Sequence, residues 1–455
     1  MAQRAQRSFA TDSLASFVLM LLTNLVRLPT NILIARFLGP AGKGVVTLLQ
    51  LLLGQTALVL SLGLDAALVH FAGRRSRPVP ELAGRALGLG LVLGGVGFGV
   101  LVALLVWVFG GLLPAEVRLV SLLLAATLPL TLIASFLRSL LRACGRVVEE
   151  WSLMLVSASA LLAGVGGGLL IEGGLAGVLW GLIGGSVLTA AVTAGLAWRM
   201  GILRQKPEFD WNSSRELVGY GAKLHGGNIL EAMNDRFDMY ILAFFLGPAA
   251  VGIYSIAVVV AELVLLFPGV LGSVLMPRVA TRSDEGANTL MAPVLRMTSF
   301  VLVAGAIALG VAGEQVIGWL FGGAFAAAFW PMVLLLPGSW ALGVWRTIMS
   351  DLVVRGHPLC KTWTAAVAVV VTIGLDLLLI PRWGVPGAAV ASSLAYSTAT
   401  GLGLWFYRRV TRLRPLELLL PRREDFDLAR SQLRAGLAPW RTELARRLQS
   451  GQDTA

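Results

Sequence analysis

The run Phe37-Leu38-Gly39-Pro40, four residues before Gly44, returns as Phe245-Leu246-Gly247-Pro248, four residues before Gly252, at an offset of 208 residues. A fixed-offset repeat requires the two halves of a chain to share one fold, and so constrains the architecture more than any single motif. Other echoes keep nearly the same spacing: Leu137-Arg138-Ser139 against Trp345-Arg346-Thr347 at 208, and Gly174-Leu175-Ala176-Gly177 against Gly384-Val385-Pro386-Gly387 at 210. Membrane proteins built from two like halves place a binding path between them. A duplicated bundle with a central cleft is therefore expected.

The halves belong in a membrane, because 56% of the residues are hydrophobic and only 14% are charged, which excludes a soluble fold of this length. Twelve apolar runs of membrane length lie near 12–38, 44–71, 83–109, 117–141, 151–171, 175–198, 215–245, 251–277, 290–312, 328–354, 361–381 and 385–407. They are expected to be helices, since an open sheet leaves backbone groups unpaired in lipid and a barrel would show alternating short segments. The first run is too long for a cleavable signal and stays as the first helix.

The net charge of +12 is a topology signal and not a nucleic-acid signal. Basic residues gather in every second gap: Arg4 and Arg7; Arg74, Arg75 and Arg77; Arg138, Arg142 and Arg146; Arg199, Arg204 and Lys206; Arg278 and Arg282; Arg355 and Lys361; Arg408 and Arg409. The positive-inside rule makes these gaps and both termini cytoplasmic, in agreement with an even number of spans. Cys144 and Cys360 fall beside such gaps and read as small apolar residues, with no disulfide and no metal site. The domains expected are an N-terminal six-helix lobe at 1–205, a C-terminal six-helix lobe at 206–410, and a basic amphipathic cytoplasmic tail at 411–455. Gly177, Gly181 and Gly185, like Gly90 and Gly94, are spaced by four and read as close helix packing.

Ionisable side chains at membrane depth cost roughly 2.5 to 3.5 kcal/mol each on insertion, so they face a cavity or a partner. The seventh span has the densest set: Asn228, Glu231, Asp235 and Asp238 share one helix face, with Lys223, His225 and Arg236 beside it. The first span repeats the pattern with Asn24, Arg27 and Asn31. At the repeat offset Arg27 aligns with Asp235 and Thr23 with Glu231, so Arg27 is expected to pair with Asp235 or Glu231 across the cleft in one state. The grouped acids Glu231, Asp235, Asp238 and Glu262 are the expected coupling-ion site, for a proton or sodium ion. Asp65, His70, Arg346, Asp351 and Asp376 are smaller signals.

Several ordered segments carry a resemblance: Ala35-Arg36-Phe37-Leu38-Gly39-Pro40; Asp235-Arg236-Phe237-Asp238, leading to Phe245-Leu246-Gly247-Pro248 and Gly252-Ile253-Tyr254-Ser255; Met276-Pro277-Arg278; Leu320-Phe321-Gly322; and Leu379-Ile380-Pro381-Arg382-Trp383-Gly384 before Gly387-Ala388-Ala389. Over residues 10–410 the chain resembles the multidrug/oligosaccharidyl-lipid/polysaccharide (MOP) exporter superfamily, in its polysaccharide-transporter branch of O-antigen-type flippases. The resemblance implies an all-α, MATE-like, V-shaped pair of six-helix lobes related by a pseudo-twofold along the membrane normal. It implies a flippase of the cell membrane that moves a polyprenyl-diphosphate-linked oligosaccharide from the inner to the outer leaflet, without cofactor or catalytic residue. By the same analogy Arg27, Arg236 and Arg346 attract the diphosphate, and Asn24, Asn31 and Asn228 contact sugar. Two departures stand out: the seventh span is acidic for an anion path, and Asp376 stands where family members often have Asn.

The acids of the seventh and eighth spans favour a competing reading, a drug or cation antiporter of the same superfamily. A polyprenyl-sugar transferase or polymerase is a third, disfavoured because the first external gap, Gly39 to Lys43, has no carboxylate and the others are short.

Overall fold

The computed structural model describes residues 2–74, 76–111, 113–204, 211–266 and 284–425, and every regular element among them is a helix. In the first half these are α1 (Ala2–Leu60), α2 (Leu64–Gly73), α3 (Val79–Ala103), α4 (Arg118–Ala125), α5 (Leu128–Ala143), α6 (Val147–Ile171) and α7 (Gly174–Arg199). The second half holds α8 (Trp211–Leu246), α9 (Pro248–Ala261), α10 (Asp284–Phe321), α11 (Phe329–Val354), α12 (Pro358–Trp383), α13 (Val385–Thr411) and the short α14 (Pro415–Leu419).

Nine helical stretches among the described residues are long and apolar enough to cross a membrane. The first, Ala15–Leu60, is 46 residues long and bends at Gly39, so it supplies two passes. α8 and α13 are also of membrane length, with 36 and 27 residues, and polar side chains lower their hydropathy. That brings the passes to the twelve expected. The expected lobe boundary at 205–210, the segment Met276-Pro277-Arg278 with Arg282, and the tail beyond 425 lie outside the described residues.

The repeated tetrapeptide is the hinge of each half. Gly39 adopts φ 63°, ψ −172° and Gly247 φ 79°, ψ −179°, a left-handed conformation that favours glycine. The proline that follows each one starts the next helix, where a missing N–H costs nothing. Five residues past each hinge the two halves cross in a reciprocal contact. A Cβ on Gly44 would overlap the carbonyl oxygen of Pro248, and one on Gly252 would overlap that of Pro40. Such an exchange of equal contacts is what a twofold axis between like halves produces.

Lipid gives helices no hydrophobic reason to associate, so small residues that admit close backbone approach hold the bundle together. Gly164 meets the Gly181 backbone and Gly168 that of Gly177, which joins α6 to α7 as the glycine spacing predicts. Replacing Gly252 by leucine is expected to separate the halves and to cost about 3 kcal/mol or more, since the obstruction is backbone that cannot rotate away. Unfolding of the detergent-solubilised variant at the wild-type temperature would contradict this packing.

The second span departs from the single helix expected at 44–71. It breaks at residues 61–63, where Leu62 and Gly63 have φ of 47° and 71°, and restarts as α2. Gly63 lies against Gly221 of α8, so this break is a second crossing between the halves. The described part of the chain after α13 docks on the bundle. Leu418 is buried in the core, and Asp425 accepts hydrogen bonds from Arg296 Nε and Nη2 of α10 at 2.6 and 2.7 Å. Trp319, Trp330, Trp383 and Trp405 are exposed, as membrane-interface anchors are.

Candidate functional site

A cavity of about 710 Å³ lies inside the first half, between α1, α5, α6 and α7. Arg27 and Asn31 reach it from the segment before the Gly39 bend, and Gln50 from the segment after it. Thr131 and Arg138 reach it from α5, Ser157 from α6, and Ser186 and Thr189 from α7. Arg27 and Arg138 are its only charged lining residues, and neither makes an ion pair among the described residues. The hydroxyls of Thr131, Ser157, Ser186 and Thr189 donate to carbonyls one turn back, which leaves their lone pairs facing the cavity. Two guanidinium groups in a polar chamber whose lining holds no carboxylate have the chemistry to attract a multiply charged anion, and Asp65 and Glu150 act on Arg138 from outside that lining.

The second half carries charge in a different form. Arg346 of α11 donates to Asp235 at 2.7 Å and lies 3.7 Å from Glu231. Lys361 of α12 reaches Glu231 at 2.7 Å and Asn228 at 3.1 Å. Arg236 binds both oxygens of Glu262 at 3.0 and 3.1 Å. Three cations thus face three carboxylates, and these half-buried pairs tie α8 to the turn that follows α9, to α11 and to α12. Such a network is neutral as a whole.

Two further carboxylates lie deeper. Asp238, buried, accepts from Tyr254 Oη at 2.5 Å, Ser392 Oγ at 2.9 Å and the Met239 N–H at 2.7 Å. Asp376 is fully buried on α12, and neither of its oxygens has a hydrogen-bond partner. One turn before it Thr372 donates to Asn234 at 2.7 Å, and one turn after Asn234 comes Asp238. α8 and α12 run in the same direction by the order of passes, so the two carboxylates lie on the same side of that bond. An unpartnered buried carboxylate is too costly to leave charged without a proton or a counterion.

Several expectations change on this geometry. Arg27 does not pair with Asp235 or Glu231 here; it lies within its own half, and Arg346 and Lys361 hold those acids. Arg236 and Arg346 are neutralised by Glu262, Asp235 and Glu231, so they are poor anion receptors in this conformation. Of the expected sugar contacts only Asn31 lines the cavity; Asn24 donates to the Met20 carbonyl at 3.0 Å, and Asn228 is occupied by Lys361. Of the expected ion-coupling acids, Glu231, Asp235 and Glu262 are in ion pairs, whereas Asp238 lies beside the unpartnered Asp376. Asp351 pairs with Arg355 at 3.0 Å and accepts from Tyr407 at 2.7 Å, a structural role.

Arg138 was assigned to a cytoplasmic gap, yet it lies in the cavity. The duplication carried the signal, since Arg138 aligns with Arg346 at the 208 offset and both arginines face the interior of their own half. The halves also touch at both ends of the bundle. Near the hinges Arg36 caps the carbonyls of Trp319, and of Leu320 at 2.9 Å. At the opposite end Arg77 pairs with Glu216 at 2.6 Å, and Tyr220 Oη lies 2.9 Å from His70 Nδ1.

Comparison with known proteins agrees with this architecture. The chain is 27% identical over 382 residues, 81% of its length and 77% of the relative's, to the probable low-salt glycan biosynthesis flippase Agl15 of Haloferax volcanii. Its fold is similar to a multidrug resistance MATE family transporter of the MOP superfamily in an inward-facing conformation (TM-score 0.71, 15% identity, 88% of this chain and 98% of that one). It is likewise similar to the lipid II flippase MurJ in an inward closed conformation (TM-score 0.69, 14% identity, 88% of each chain). With residues 33–330 matching the family model for polysaccharide biosynthesis proteins, this chain belongs to that family.

Proposed function

We propose that the protein is a flippase carrying a polyprenyl-diphosphate-linked oligosaccharide from the inner to the outer leaflet of the cell membrane by alternating access. The observation that carries this reading is the carboxylate-free cavity lined by Arg27 and Arg138. A diphosphate presents several oxygens to two guanidinium forks, while Asn31, Gln50 and the Ser and Thr hydroxyls offer sugar contacts. The flippase names of Agl15 and MurJ support it. The lipid chain stays in the bilayer, and both termini face the cytoplasm. The site needs neither cofactor nor metal and does no chemistry.

In this scheme the second half couples transport to an ion. A proton or sodium ion enters the crevice of Asp376 and Asp238, and the neutral network of Glu231, Asp235, Arg346 and Lys361 rearranges as the halves rock. Asp376 also favours a second reading, an antiporter that exchanges organic cations for that ion. Vesicles separate the two: import of labelled lipid-linked oligosaccharide into inverted membranes, without uptake of a lipophilic cation, is expected of the flippase. The reverse pattern would sink the flippase reading and support the antiporter.

A further inference from the structure

Lys43 is a buried cation without an acid. It is 3% exposed, makes no ion pair among the described residues, and its Nζ donates to one side chain, Asn31 Oδ1, at 2.7 Å. Asn31 is itself a lining residue of the first-half cavity, one turn from Arg27 on the same face of α1. A buried ammonium without a counter-charge is costly and calls for a reason.

The bland reason is that the Lys43 to Asn31 bond braces the bend at Gly39. The duplication supplies a control for that idea. Asn31 and Lys43 stand eight residues before and four after Gly39; Met239 and Val251 stand eight before and four after Gly247, a hinge of the same backbone conformation. Met239 and Val251 are 3% and 0% exposed and belong to one apolar core cluster. Apolar packing therefore suffices to hold this bend, and the first half has placed an amine where the fold asks only for hydrocarbon. What differs between the halves is the charge beside it: a cationic cavity in the first and a neutral ion-pair network in the second.

We infer that Lys43 is a third cation of the anion site: the diphosphate entering between Arg27 and Arg138 takes the place of Asn31 Oδ1 on the Lys43 ammonium. This rests on the flippase reading and assigns it one more residue. Arg27 and Arg138 line the cavity and Lys43 lies behind Asn31, so the three cations follow one another in depth. Arg138 is twenty-three residues into the pass that starts at Ala115 at the hinge end, Arg27 is twelve residues before Gly39, and Lys43 is four residues after it. The anion is drawn toward the hinge end of the bundle as each contact forms, with Asn31 as the cover that keeps Lys43 satisfied while the cavity is empty.

The test is a titration of the purified full-length chain with inorganic pyrophosphate, read by calorimetry and by thermal unfolding. Lys43→Met is expected to unfold at the wild-type temperature or above, because a buried charge has been replaced by hydrocarbon. Its affinity is expected to fall at least about tenfold, as for one charged hydrogen bond lost. Lys43→Arg should keep most of the affinity. If Lys43→Met binds like wild type while Arg27→Gln does not, the inference on Lys43 fails and the cavity reading stands. If the wild type binds no pyrophosphate, both fail. If Lys43→Met unfolds early with unchanged affinity, Lys43 is a brace.

Discussion

Replacing Arg27 and Arg138 together by glutamine is expected to abolish transport while the protein still folds. Both side chains face the cavity and neither makes an ion pair among the described residues; Asp65 and Glu150, the acids near Arg138, keep their bonds from Ser135 and Ser139 and from Arg142. Each charged hydrogen bond to a phosphate oxygen is worth about 1.5 to 3 kcal/mol, so each single change should cost about tenfold or more and the pair on the order of a thousandfold. Arg346→Gln is the contrasting variant. It leaves Asp235 without its 2.7 Å partner and weakens the hold on Glu231, so it should lower the unfolding temperature as well as the rate. Proteoliposome transport and thermal unfolding on the same preparations decide between these outcomes. A double variant of Arg27 and Arg138 that transports like wild type would refute the anion site.

Asp376→Asn is expected to remove the ion dependence of transport and to raise the unfolding temperature. Its two oxygens are buried without partners, so the carboxyl is held there against its own solvation, and an amide carries no charge to desolvate. The ion-driven rate should fall at least about tenfold, the loss of one charged contact. Asp238→Asn should behave otherwise. Tyr254, Ser392 and the Met239 N–H all donate to that carboxylate, and an amide offers a single acceptor oxygen, so the variant should be less stable. Transport measured against sodium and against a pH gradient checks both. An Asp376→Asn protein with unchanged ion dependence would show that the coupling lies elsewhere.

The sequence made the architecture readable because membrane passes obey simple constraints of length and hydropathy, and because the hinge glycines recur at a fixed offset. Gly39 and Gly247 could be read from their neighbours alone; the reciprocal crossing of Gly44 and Gly252 could be suspected from the same repeat. The break at residues 61–63 was hidden, since Ser61, Leu62 and Gly63 interrupt an apolar run without a proline or a charge, and only the approach of Gly221 explains it. The site was half legible. The stripe from Asn228 to Asp238 marked a real concentration of charge, but a helix face does not say which neighbour supplies the counterion. Arg346 and Lys361 come from helices more than a hundred residues away, and they consume the acids that a sequence alignment of the halves had paired with Arg27. Lys43 was masked for the opposite reason: beside the hinge it reads as an external loop residue, whereas folding carries it into the core.

The central claim is that the first half, and not the second, receives the diphosphate. A photoreactive prenyl diphosphate, cross-linked to the reconstituted protein and mapped by peptide mass spectrometry, tests it most directly. Labelling is expected on the cavity faces of α1, α5, α6 and α7, to be competed away by pyrophosphate and lost in the double variant of Arg27 and Arg138. Labelling confined to α8, α11 and α12 would contradict the account.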